Sequence, residues 1–145
     1  MDGVLDPKRT VHIAIRDPAG EFEQFAQESG QTVIDIDRFY DLGVKSVIEE
    51  TRRIVGDAPT YVSFDIDGLD PAYAPGTGTP AVGGITTYEA KRLLQGLRGL
   101  DIVGADLVEV SPPFDSAGIT ALAGAQMMFE MLCLATESFA KRSKT

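Results

Sequence analysis

Four times along this chain a short apolar run suited to a strand is followed by a longer run with apolar residues at helical spacing. Thr10 to Arg16 alternates Val11, Ile13 and Ile15 on one face. Asp17 and Pro18 then supply a helix N-cap and first-turn proline, and Phe22, Phe25 and Ala26 form a stripe ending at Gly30. Thr32 to Ile36 reads as a second strand. After Asp41, the residues Val44, Val47, Ile48, Thr51, Ile54 and Val55 recur as one helix face, closed by Gly56. A third strand starts at Tyr61. Beyond a long loop, Thr86-Thr-Tyr-Glu89 has the form of a capping box, with Ala90, Leu93, Leu94 and Leu97 behind it. Asp101 to Val110 is apolar nearly throughout, as expected of a strand covered on both faces. Gly118 to Lys141 reads as one long helix. Strand and helix alternating in this way predicts an α/β fold, a mostly parallel sheet with helices on both faces, as one domain over residues 1–145.

Composition narrows the partners. A net charge of −9 with no long basic run argues against nucleic acid, because phosphate binding needs clustered Lys and Arg. The single cysteine, Cys133, cannot close an internal disulfide, and beside Met131, Leu132 and Leu134 it reads as a small buried hydrophobe in a reducing compartment. The first residues lack the apolar segment of a signal peptide, and no apolar run reads as long enough for a membrane span. The expectation is a cytoplasmic protein without a membrane partner.

The third strand carries the chemistry. In Tyr61-Val-Ser-Phe-Asp-Ile-Asp-Gly-Leu-Asp-Pro71, strand alternation puts Asp65 and Asp67 on the same side at the strand's end. Two carboxylates held together share a proton or bind a cation, and an oxygen-only anionic site suits Mg²⁺, Ca²⁺ or Mn²⁺. The competing reading is a solvated strand end entering a turn, since Asp-Gly and Asp-Pro are ordinary turn chemistry. Two loops follow. The first, from Gly68 to Ile85, is longer than a strand-to-helix connection needs, and loops of that length are commonly functional. The second, Ser111 to Gly118, comes after Glu109, a charge inside the apolar run Leu107-Val-Glu-Val110. A buried carboxylate needs a cation, so Glu109 is a site candidate; the alternative is an outward-facing or ion-paired residue.

These residues resemble a known family. Ser63-Phe-Asp-Ile-Asp-Gly-Leu-Asp-Pro71, Pro75-Gly-Thr-Gly-Thr-Pro80, Gly83-Gly84 and Val108-Glu-Val-Ser-Pro-Pro-Phe-Asp115 are similar to the carboxyl-terminal half of the ureohydrolases, the arginase and agmatinase superfamily. The Glu-Val-Ser-Pro-Pro-Phe-Asp form is that of the agmatinase and guanidinobutyrase branch. The resemblance implies the carboxyl-terminal half of an arginase-type three-layer fold. It also implies hydrolysis of a linear guanidino compound to urea and an amine at two Mn²⁺ ions bridged by hydroxide. Asp65 would bridge both metals, Asp67 would bind one, Glu109 would pair with the guanidinium group, and Thr79 would line the pocket. Asp70 with Pro71 would shape a turn without chemistry. The family draws its remaining ligands from Gly-Gly-Asp-His and Asp-Ala-His-x-Asp segments, and neither occurs in this sequence. Its single histidine, His12, lies mid-strand and reads as hydrogen-bonded in place. The implied partners are a guanidino substrate and either a second copy or a complementary amino-terminal half. For the final helix, with its close-set Met127, Met128, Phe129, Met131 and Leu132, core packing and a subunit interface both remain open.

Overall fold

A computed structural model describes residues 5–16 and 20–144. The Asp17 and Pro18 cap lies outside the described residues. Strands and helices alternate in the expected order: β1 (Val11–Ile15), α1 (Glu21–Ser29), β2 (Thr32–Asp35), α2 (Ile36–Val55), β3 (Thr60–Asp65), α3 (Thr87–Gly96), β4 (Ile102–Val108) and α4 (Ile119–Arg142). Among the described residues both strand pairs are parallel, as crossover helices require. Instead of one sheet, the strands form two parallel pairs, β1 with β2 and β3 with β4. They fall in two compact units, the chain dividing between Gly56 and Asp57.

In the first unit, α2 packs on β1 and β2, and α1 packs on β2. A bulge at Ala14, whose φ is +63°, shifts the register between Ile13 and Ile15. Consequently Ala14 is the buried residue of β1, while Val11, Ile13 and Ile15 are half-buried, in place of the apolar triad expected. His12 is held as expected: Nε2 lies 2.7 Å from Gln31 Oε1, and the ring meets Phe22 edge-on. The helical run of α2 starts earlier than its apolar spacing suggested. Asp35 caps it by accepting the Arg38 N–H at 2.8 Å, and Gly43, at φ +74°, kinks it before the predicted Val44 face begins.

In the second unit, α4 packs on β4 and α3 packs on α4. Ile66, Leu69, Leu94, Ile102, Met127, Met131 and Leu134 fill the core. Ser138 joins sheet to helix by accepting the Ile102 N–H at 3.0 Å and donating to Leu100 O at 2.9 Å. The ion pair Lys91–Glu130 links α3 to α4, and Arg98, just past the end of α3, pairs with Glu137 of α4. The Thr86 capping box is present in full: Thr86 Oγ1 accepts the Glu89 N–H at 3.1 Å, and Glu89 accepts the Thr86 N–H at 2.8 Å.

Three expectations need correction. Cys133 is exposed, because it lies outside the buried positions of α4, which include Met127, Met131, Leu134 and Ser138. The fourth strand is not covered on both faces; Val103 and Val108 are exposed, and it ends at Val108. Finally, α4 has the length and hydropathy of a membrane-spanning helix, although the sequence read as having no such run. Met127, Met131 and Leu134 on that helix are core residues, which accounts for part of its apolar character.

Candidate active site

The parallel register sets Asp65, the last residue of β3, beside Val108, the last residue of β4, so that Glu109 follows immediately at the same sheet end. Carboxyl ends of parallel strands are where such folds gather ligands. Asp67 reaches this place by a different route from the one its spacing suggested. The strand stops at Asp65, and Asp67 lies in a 3-10 turn over Ile66–Gly68. Asp65 Oδ1 accepts the Asp67 N–H at 3.1 Å, so Asp65 caps the turn that carries its neighbour. The expectation of two carboxylates at one spot stands, on turn geometry rather than strand alternation.

Thr79 comes back over this turn. Its hydroxyl donates to Asp67 Oδ2 at 2.9 Å, which leaves Asp67 oriented by its own loop. Glu109 lies nearby, with Oε2 3.8 Å from where a β-carbon of Gly78 would stand. It is exposed, contrary to the burial read from its apolar flanks, because β4 has already ended. Its φ of +66° is costly for a non-glycine residue. Desolvation by surrounding protein, together with the charges of Asp67 and Glu109, pushes the Asp65 carboxyl above its ordinary value, against the lowering effect of the Asp67 N–H. Asp65 is exposed as a residue even so, and solvent screens part of this effect. The structure thus brings Asp65, Asp67, Thr79 and Glu109 together.

The residues that hold the loops are less visible in the sequence. Asp70 spans the first loop: Oδ1 accepts the Ala72 N–H at 2.9 Å, Oδ2 accepts the Gly83 N–H at 2.8 Å, and its own N–H donates to Ile85 O. At the loop's middle, the Gly76 N–H donates to the buried Thr120 hydroxyl at 2.8 Å, and Gly76 O accepts the Ser111 N–H at 2.8 Å. Thr77 bridges antiparallel to Val110. A β-carbon at Gly76 would overlap Asp115, so glycine is required there for close approach. Asp115 accepts the Thr120 and Ala121 N–H groups at 3.1 and 2.8 Å. Some desolvation acts against it, yet these amides hold its carboxyl below the ordinary value. The signal for Asp115 and Thr120 was a lone Asp ahead of an apolar helix and a lone small polar residue in that helix's first turn.

The donor set suits a hard divalent cation, since it is all oxygen and anionic. Among the described residues, however, no group of three or more His, Cys, Asp or Glu side chains is arranged to hold a metal ion. Two aspartates make an open, weak site for one ion. By themselves these residues do not hold a binuclear centre.

Known proteins share this arrangement of sequence and fold. The sequence model of the arginase family matches residues 1–133. The chain is 58% identical over 142 residues to a guanidinopropionase of Pseudomonas aeruginosa, which spans 97% of this chain and 45% of that enzyme. It is 49% identical over 131 residues to an agmatinase of Edwardsiella ictaluri, covering 90% of this chain and 41% of that enzyme. Among solved structures, the proclavaminate amidino hydrolase from Streptomyces clavuligerus superposes with a TM-score of 0.88 at 40% identity, over 92% of this chain and 45% of that one. The chain therefore spans less than half the length of the relatives it matches, as their carboxyl-terminal half. With its parallel α/β units, its Asp-x-Asp turn and these matches, the chain belongs to the arginase family.

Proposed function

We propose that this chain supplies the carboxylate side of an amidinohydrolase site, which takes a linear guanidino compound to urea and an amine. The observation that carries this reading is the convergence of Asp65, Asp67 and Glu109 at adjacent strand ends, with Thr79 bonded to Asp67. Glu109 pairs with the planar, cationic guanidinium group, whose paired N–H donors match a carboxylate. Gly78 has no side chain, which leaves the Glu109 carboxylate open on that side. Thr79 fixes the Asp67 carboxylate, and Asp65 with Asp67 takes one divalent ion weakly, manganese by likeness to the family. The names of the relatives favour agmatine, 4-guanidinobutanoate or a shorter guanidino acid as the substrate class.

Among the described residues, Asp65 and Asp67 have no further ligands grouped with them to complete a binuclear centre, so the chain alone is expected to release urea at most at a residual rate. Measuring urea release with Mn²⁺ and agmatine, 4-guanidinobutanoate and 3-guanidinopropanoate tests this. Turnover at an ordinary enzyme rate of about 1–10³ s⁻¹ would show that the two aspartates suffice. Binding separates the recognition step from turnover. Calorimetry should show the preferred guanidino compound binding at least about tenfold more weakly to Glu109→Gln, a loss of about 1.4 kcal/mol. Equal binding would remove Glu109 from the proposed role.

A further inference from the structure

Glu109 stands between two segments that are pinned in different ways. Before it, Val108 ends β4 in parallel register with Asp65 of β3. After it, Val110 bridges antiparallel to Thr77, and the Ser111 N–H donates to Gly76 O at 2.8 Å. The chain passes from a parallel to an antiparallel partner across one residue, and that residue takes φ +66°. L-residues avoid this region, so Glu109 keeps it only while both flanks are held. The upstream flank is part of a sheet. The downstream flank hangs on Gly76, whose own N–H donates to Thr120 Oγ1 at 2.8 Å.

We propose that Thr120 is a positioning residue for guanidinium recognition: its hydroxyl holds Gly76, and through Gly76 the Ser111 peptide, where Glu109 must keep its left-handed backbone and present its carboxylate beside Gly78. This rests on the reading of Glu109 as the partner of the guanidinium group. Thr120, the second residue of α4, is fully buried. A hydroxyl accepts and donates at once, so Thr120 can take the Gly76 N–H while its own proton turns to the Asp115 carboxylate. Asp115 in turn accepts the Thr120 and Ala121 N–H groups, which ties the hydroxyl to the start of the helix. Gly76 lies so close to Asp115 that no side chain fits between them, and this fixes the depth at which the loop sits. The bonds therefore run without a break from the first turn of α4 through Gly76 to the peptide two residues beyond Glu109. Every group in the series belongs to the second unit.

Thr120→Val keeps the branched shape and removes the acceptor, leaving a buried N–H unmet at Gly76, whereas Thr120→Ser retains the acceptor. Nuclear magnetic resonance of the ligand-free chain reads the backbone directly. A positive φ brings an amide proton close to its own Hα, so Glu109 should give a strong intraresidue NOE that is lost in Thr120→Val and kept in Thr120→Ser. A strong NOE in Thr120→Val, or none in the unaltered chain, overturns the proposal. In the unaltered chain the Gly76 amide should exchange with solvent at least about 100-fold more slowly than an exposed amide. A fast Gly76 amide overturns the proposal whether or not Thr120→Val folds. Calorimetry reads the consequence for the site. Thr120→Val should bind the preferred guanidino compound at least about tenfold more weakly, with Thr120→Ser restoring the affinity. Mn²⁺ affinity should stay the same, because β3 and its 3-10 turn carry Asp65 and Asp67; a parallel loss of Mn²⁺ affinity marks a general disturbance and overturns the proposal. If Glu109→Gln weakens guanidino binding and Thr120→Val does not, the positioning role falls while Glu109 keeps its own. If Glu109→Gln leaves binding unchanged, the recognition role of both residues falls, whatever the NOE shows.

Discussion

Asp65 shows how one side chain serves the site at the expense of the fold. Its carboxyl is held above the ordinary value, so the folded chain favours its protonated form. Stability from such a group is fully present below the unfolded value, about 3.9, and is lost as pH rises through the folded one. Asp65→Asn should therefore raise the melting temperature of the metal-free chain at pH 7 and leave it unchanged near pH 3; equal shifts at both pH values would contradict the assignment. Glu109 carries a backbone cost instead. Glycine is at ease at φ +66°, so Glu109→Gly should stabilise the chain by about 1 kcal/mol in urea unfolding while guanidino binding is lost. At this scale the sequence was read rightly for position and wrongly for cause. Asp65 and Asp67 do meet, but through a turn that spacing cannot reveal, and Glu109 is exposed because β4 ends one residue before it.

Elements with a local chemical signature were legible. The Thr-x-x-Glu box starts α3 as read, and Thr86→Ala should cost about 1 kcal/mol by removing the cap hydroxyl, checked by urea unfolding with an unchanged slope. The start of α2 was not legible, since Gly43 interrupts the helix and separates Ile36 and Phe39 from the apolar face that begins at Val44. The bulge at Ala14 was equally hidden, because a register shift leaves no mark in apolar alternation. The glycine loop is the element on which site geometry depends. Gly76→Ala would set a β-carbon 2.9 Å from Asp115 Cα and against Asp115 Cβ, and overpacking of that kind costs about 1–3 kcal/mol. Gly78→Ala has only a distant neighbour in Glu109 Oε2 and should cost less than half as much. Comparable losses would show that the loop is not pinned at Gly76.

For the whole molecule, the alternation of strands and helices foretold a parallel α/β chain, and the motif residues foretold the family. What the sequence pattern could not give was the division of the strands into two pairs, since pairing partners are set by packing rather than by periodicity. Asp115 and Thr120 were missed for a related reason: they act on a loop more than 35 residues earlier, and only folding brings them there. The account rests on Asp65 and Asp67 as a paired-carboxylate cation site that this chain leaves open. Calorimetric titration of the chain with Mn²⁺, alongside Asp65→Asn and Asp70→Asn, tests that most directly. The expected result is weak, saturable binding of one ion that disappears in Asp65→Asn and survives in Asp70→Asn. No binding to the unaltered chain, or binding that Asp65→Asn leaves intact, would contradict it.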